Sequence, residues 1–243
     1  MQPIQRQAIV DESMMIGSEK LLLTLAIPAI NAGSAITEED VTIVDISIAK
    51  SWNGTSIKNV LEKVADKIGH KPEYVISDNG YTVCKAVRDA GYAHHLDISH
   101  TLGIFLERVY KKEADFQELS NNVQLVRFKY NMQDIAYLQP PSQRSIARFM
   151  NMSKWIDWIS RMQYLYHTLR DDIKSTFIPH NASLVDELAE TMDCITKIEK
   201  DVKNNGWSHD TISRCKQLVT TSLMSENERQ CKVGSFILEY VER

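Results

Sequence analysis

The sequence predicts an α/β protein: a mixed five-stranded sheet in the order β-β-β-α-β-α-β, followed by a region built only of helices. Three observations carry this expectation. Residues 1–100 break into short β-rich runs punctuated by Gly, Asp and Asn, with one clear amphipathic helix among them. From Ile98 onward the apolar residues recur at helical spacing. The chain has 243 residues and is 43% apolar, enough for one large or two small cores at about 100–200 residues per domain.

The elements follow in order. Gln7–Val10 is a short strand closed by Asp11, and Leu21–Ala26 is a second apolar run of strand length. Val41–Ala49 is β-branched and alternates, which makes a third strand. Ile57, Val60, Leu61, Val64, Ala65 and Ile68 repeat at helical spacing, with Thr55 or Ser56 as N-cap and Gly69 as stop. Tyr74–Ser77 is a fourth strand ending at Asp78-Asn79-Gly80. A short helix over Val83–Ala90 ends at Gly91, and Ala93–Leu96 is a fifth strand ending at Asp97. Three consecutive strands imply a meander, and the helix-linked strands imply parallel crossovers. The helical region reads as Leu102–Tyr110, then Ser120–Asn131 as its continuation or a separate helix, a break at Pro140-Pro141, Ile146–Leu169, a break at Pro179, Leu184–Asn204, Thr211–Met224 and Val233–Val241.

Composition excludes disorder and coiled coil as the main character. The longest apolar run, Leu21–Ile30, is interrupted by Thr24 and Pro28, short of the ~20 residues a membrane span requires. Cys84, Cys194, Cys215 and Cys231 form no C-x-x-C and read as reduced core thiols in a cytosolic or nuclear compartment. A net charge of −4 argues against nucleic acid, but its distribution is uneven: residues 101–180 carry 11 Lys and Arg against 8 Asp and Glu. Gln139–Gln163 concentrates that excess in Arg144, Arg148, Lys154 and Arg161.

Asp11, Asp78 and Asp97 each follow a predicted strand, and strand ends are where crevices open in such sheets. If the fourth strand lies parallel beside the first, Asp11 and Asp78 share one edge. Two adjacent carboxylates repel and are relieved by a cation, and hard oxygen ligands suit Mg2+ or Mn2+. The plainer reading is that Asp78-Asn79-Gly80 is a turn and Asp97 or Ser99 a helix cap. A zinc site from Cys84, His94 and His100 has no recognisable spacing. A phosphatase of the haloacid dehalogenase type calls for Asp-x-Asp after the first strand, where this chain has Asp11-Glu12-Ser13.

The element order, with Asp after the first and fourth strands, resembles the ribonuclease-H-like core of DDE transposases and integrases. Residues 10–26 (VDESMMIGSEKLLLTLA) resemble the first-strand segment of insertion-sequence transposases, and 75–80 (VISDNG) their second-aspartate motif. Residues 97–100 (DISH) resemble the C/D-x-x-H motif of members with an all-helical insertion, and 138–151 (LQPPSQRSIARFMN) a stretch in their helical parts. The resemblance implies a catalytic core over 1–100, a helical insertion over 101–225 and the start of a returning helix over 226–243. It implies Asp11 and Asp78 as catalytic metal ligands for Mg2+ or Mn2+, with Asp97 and His100 shaping the site. The family's third acid, a Glu on a helix after the insertion, is expected beyond Arg243, in a truncated or internal piece of a longer protein; Glu226, Glu228 and Glu239 are the late candidates within the chain, and Glu107 or Glu113 would serve if there were no insertion.

Gln143, Arg144, Arg148 and Lys154 are the expected DNA contacts, because Arg144 and Arg148 share one face of a helix. The alternative is a solvated helix face. Phe149, Trp155, Trp158 and Tyr164 read as helical-domain core. The expected function is metal-dependent DNA cleavage and strand transfer at transposon ends. The expected partners are transposon and target DNA and a second copy of the chain, with no membrane and no small-molecule substrate, in the bacterial cytoplasm at the nucleoid. The alternative is a non-catalytic DNA-binding or dimer-forming remnant of such an enzyme.

Overall fold

The computed structural model describes residues 6–28, 36–130, 138–141, 149–175, 177, 182–224 and 226–242. The chain divides into two compact units: Met1–Thr101 with Asp201–Thr211, and Leu102–Lys200 with Ile212–Arg243.

The first unit contains a five-stranded mixed sheet. β1 (Arg6–Ile16) and β2 (Glu19–Pro28) form a hairpin whose turn places Gly17 at φ +66°, a left-handed conformation that glycine adopts without a Cβ penalty. A 3-10 turn (Glu38–Asp40) precedes β3 (Thr42–Ala49). Then come α1 (Gly54–Ile68), β4 (Tyr74–Ser77), α2 (Tyr81–Asp89) and β5 (Ala93–Leu96). The spatial order is β3-β2-β1-β4-β5. The β1–β2 and β2–β3 pairs are antiparallel, and β1–β4 and β4–β5 are parallel. This is the mixed sheet, meander first and crossovers after, that the sequence order predicts.

One face of the sheet is closed by the two helices. Ala8, Val10, Leu22 and Val75 from the strands meet Ile57, Val60, Leu61 and Val64 of α1 and Val83, Ala86 and Val87 of α2 in one buried cluster. These four α1 residues belong to the set its i, i+3, i+4 spacing predicts, of which Ala65 and Ile68 are only half-buried. Two local details differ from the sequence reading. The N-cap of α1 is Asn53, not Thr55 or Ser56. Its side chain accepts from Ser56 N at 2.9 Å, while Ser56 Oγ accepts from Asn53 N at 3.0 Å. The apolar repeat begins only at Ile57, so the polar first turn was invisible to periodicity. β1 also runs on to Ile16, with a bulge between Glu12 and Met14, instead of closing at Asp11. Pairing with the leucine-rich β2 overrides the poor strand preference of Asp-Glu-Ser.

Helices dominate the rest of the chain: α3 (Ile98–Tyr110), α4 (Ala114–Tyr130), α5 (Met152–Leu165), α6 (Asp171–Lys174), α7 (Ala182–Asn205), α8 (His209–Ser222) and α9 (Glu228–Val241). α4 is separate from α3. The expected helix over 146–169 is α5 followed by a 3-10 turn at Tyr166–Thr168, and Phe149-Met150 lie in a turn before it. Phe116 stacks on Phe149 and meets Trp155 edge-on, and Val126, Met162, Ile173 and Phe177 form a further cluster with Trp158 beside it. Tyr164, expected in the core, is 85% exposed, because it projects from the opposite side of α5 to Trp155, Ile159 and Met162. No disulfide joins the four cysteines; Cys194 and Cys215 are buried, whereas Cys84 and Cys231 are only half-buried. Among the described residues no helix is long and apolar enough to cross a membrane.

Candidate functional site

The register of the three parallel strands builds the site. Val10 stands opposite Ser77, and Ser77 opposite Leu96, as the last paired residues of the two parallel ladders. One step further along are Asp11, Asp78 and Asp97. Adjacent strands lie about 4.8 Å apart, so the three aspartates form a row about 10 Å wide. Asp97 N still donates to Ser77 O at 2.8 Å, which extends the ladder to that residue.

Side-chain alternation sets the face. Val10 and Ser77 are buried on the helix-covered side, so the next position on each strand points the other way. Asp11 is exposed and, through β2, shares its row with Leu23 and Ile46. Asp11 does not terminate β1. It marks the point where β1 keeps its partner β2 and loses β4, which leaves an open edge beside Asp78.

The three carboxylates are in different states. Asp11 has no hydrogen bond or ion pair among the described residues, whereas its neighbour Glu12 is tied to Lys20 at 2.6 Å. Asp78 Oδ1 accepts from Gly80 N at 3.1 Å. A Cβ on residue 80 would lie 2.9 Å from that oxygen, so glycine there leaves the carboxylate its place. Asp97 is occupied: Oδ1 accepts from His100 N at 2.7 Å, and its main-chain oxygen accepts from Thr101 N and Thr101 Oγ1. Asp97 therefore caps α3, the plainer of its two sequence readings. His100 is half-buried in the first turn of that helix.

Asp11 and Asp78 could supply hard oxygen donors, the kind of ligand that Mg2+ or Mn2+ takes. Among the described residues no three His, Cys, Asp or Glu side chains gather closely enough to hold a metal. The width of the row and the capping role of Asp97 explain why it does not complete such a set.

The other candidates stand apart from this row in character. Glu226 is exposed between α8 and α9. Glu228 is exposed at the start of α9, and its hydrogen bond to Lys232, 2.6 Å away, holds its carboxyl below the usual range. Lys154 is exposed in the first turn of α5. Gln143, Arg144 and Arg148 lie outside the described residues.

Sequence reasoning missed one pair. Ser77, 2% exposed, has its Oγ 2.8 Å from His94 Nε2. The signal was parity: Val75 and Ser77 are alternate residues of a strand with one buried face, and His94 falls opposite that face on the next strand. Cys84 adds its thiol at 3.8 Å from Asp78 O; burial pushes that thiol up, and Asp78 adds to the shift. A scan against protein-family models and a search of curated proteins give no match to this chain.

Proposed function

We propose that this chain is the catalytic region of a DDE-type transposase, with residues 1–100 as a ribonuclease-H-like core and the helices after it as an all-helical insertion. The reading is carried by one observation. Asp11 and Asp78, 67 positions apart in sequence, fall side by side, one step past the last paired residues of adjacent parallel strands. The sheet order β3-β2-β1-β4-β5, antiparallel on one side and parallel on the other, supports the same reading.

In this reading Asp11 and Asp78 hold Mg2+ or Mn2+. The bound metal supplies Lewis-acid stabilisation of phosphodiester oxygens and activation of a water or a 3′-hydroxyl. Asp11 offers an open carboxylate, Gly80 N orients that of Asp78, and the Asp97 cap fixes the neighbouring end of α3. The substrate is DNA, at transposon ends and target, with Lys154, Gln143, Arg144 and Arg148 as backbone contacts. A homodimer in the bacterial cytoplasm, at the nucleoid, belongs to the same reading.

A second reading, a non-catalytic DNA-binding or dimer-forming remnant, is favoured by the absence of a third acid beside Asp11 and Asp78 among the described residues. A divalent-metal titration on supercoiled plasmid separates the two. Nicking that needs Mg2+ or Mn2+ and disappears in Asp78→Ala supports the transposase. DNA binding without nicking supports the remnant, and neither activity rejects both.

A further inference from the structure

Behind the row of aspartates, on the helix-covered side of the sheet, a short relay of hydrogen bonds ends on Asp78. His94 stands opposite Val75, which makes Ser77 its diagonal neighbour on the same face. Ser77 Oγ is 2.8 Å from His94 Nε2 and 2.9 Å from the main-chain oxygen of Asp78. A serine hydroxyl has one proton to give, and a carbonyl oxygen can only accept. With that proton directed at Asp78 O, His94 must donate through Nε2–H to Ser77 Oγ. Burial holds the His94 ring below the usual imidazole value; His95 and Arg88 push the same way and Asp78 opposes them. In the neutral ring, the Ser77 bond selects the Nε2–H tautomer.

The turn after β4 is thus fastened at two points. Its main-chain oxygen at Asp78 is held from below by Ser77 and the Cys84 thiol, and its carboxylate is held from the side by Gly80 N. Resting on the metal reading above, we infer that His94 is a positioning residue for Asp78: it orients the Ser77 hydroxyl, which fixes the turn that holds the Asp78 carboxylate alongside Asp11. His94 itself lies on the opposite side of the sheet from the ion and substrate.

The test is Mn2+ binding to the full chain by electron paramagnetic resonance, with thermal melting of the metal-free protein in parallel. His94→Gln keeps an N–H donor near the position of Nε2, His94→Leu keeps bulk without the donor, and Ser77→Ala removes the relay. Hydrogen-bonded support behind a metal ligand is worth at least about tenfold in affinity, so His94→Leu and Ser77→Ala should each bind Mn2+ about tenfold more weakly. His94→Gln should bind like the wild type. Wild-type affinity in His94→Leu, or equal weakening in His94→Gln and His94→Leu, overturns the inference while leaving the metal site standing. If the wild type binds no Mn2+, or Asp78→Ala binds it equally well, the metal reading fails and this inference with it. Should His94→Leu not fold, the contrast between His94→Gln and Ser77→Ala decides.

Discussion

Arg229 of α9 reaches Glu187 of α7 through Nη2 at 2.7 Å while Nη1 grips both oxygens of Asp115 on α4 at 2.8 and 3.0 Å. The Glu187 side chain is 6% exposed and also accepts from Tyr110 Oη at 2.8 Å. Gln230 adds bonds to Glu187 O and Glu190 Oε2. One guanidinium thus joins three helices of the helical unit, and it lies over the Tyr110 ring at 5.6 Å. Burial drives the Tyr110 hydroxyl far above its ordinary value, so it stays a donor at any physiological pH.

Removing one partner of such a network strands the other's charge. Arg229→Ala should cost about 3–5 kcal/mol, because Glu187 is left nearly buried without its cation. The double change Arg229→Met with Glu187→Leu should cost less than Arg229→Ala alone, since no buried charge remains. Urea denaturation of both variants checks the order, and a double variant less stable than the single one contradicts it.

The pair Lys67–Asp45, 2.6 Å apart, predicts a pH dependence. Burial pushes the Asp45 carboxyl up, but hydrogen bonds from Lys67 and Ser47 outweigh it and leave the group below its ordinary value of 3.8. A carboxylate lowered on folding stabilises above its unfolded value and loses that contribution as pH falls through the folded one. Lys67→Met should therefore cost up to about 1 kcal/mol at neutral pH, with the difference fading below about pH 4. Denaturation at pH 7 and pH 3 measures it; a gap unchanged at acid pH would refute the electrostatic account.

Gly234 lies inside α9, where alanine would ordinarily add about 1 kcal/mol of helix stability. Here a Cβ would sit 2.9 Å from Met224 Sδ, 3.2 Å from Leu223 Cβ and 3.3 Å from Val219 Cγ1. The thioether can swing away, but Leu223 Cβ is fixed to its backbone. Gly234→Ala should destabilise by about 1–3 kcal/mol, read as a lowered melting temperature.

Asn53 caps α1 reciprocally with Ser56. Asn53→Ala should cost about 1 kcal/mol, and Asn53→Asp should retain most of the cap. Equal losses in the two variants, measured by chemical denaturation, would show that the side-chain oxygen is not what matters there.

Much of the sheet was legible because its signals are local. The alternation of Val41–Ala49, the helical repeat from Ile57 and the stops at Gly69 and Gly91 each sit within a few residues. The antiparallel meander and the parallel crossovers followed from connection rules applied to those elements, whereas the neighbouring positions of Asp11 and Asp78 hung on the condition that the fourth strand lies beside the first. The rest depended on long-range contacts. The extra length of β1 comes from its pairing with β2, and the Ser77–His94 bond needs, beyond the parity of Val75 and Ser77, the register of β4 against β5. The Arg229 network joins residues 115, 187 and 229, and no pattern in the sequence ties them together. Asp97 shows the opposite limit: its position in the row was legible, but its capping of α3 could be told from metal binding only by geometry.

β3 forms one border of the sheet and turns Ile43, Ile46 and Ile48 outward, each more than half exposed. Borders of this kind invite strands from other molecules to add on. Lys67 reaches across to Val44 O at 3.2 Å and to Asp45, setting a charged gatekeeper on an otherwise sticky flank. Loss of that ammonium is expected to make β3 more prone to pairing with strands of other molecules at high concentration, read as increased light scattering.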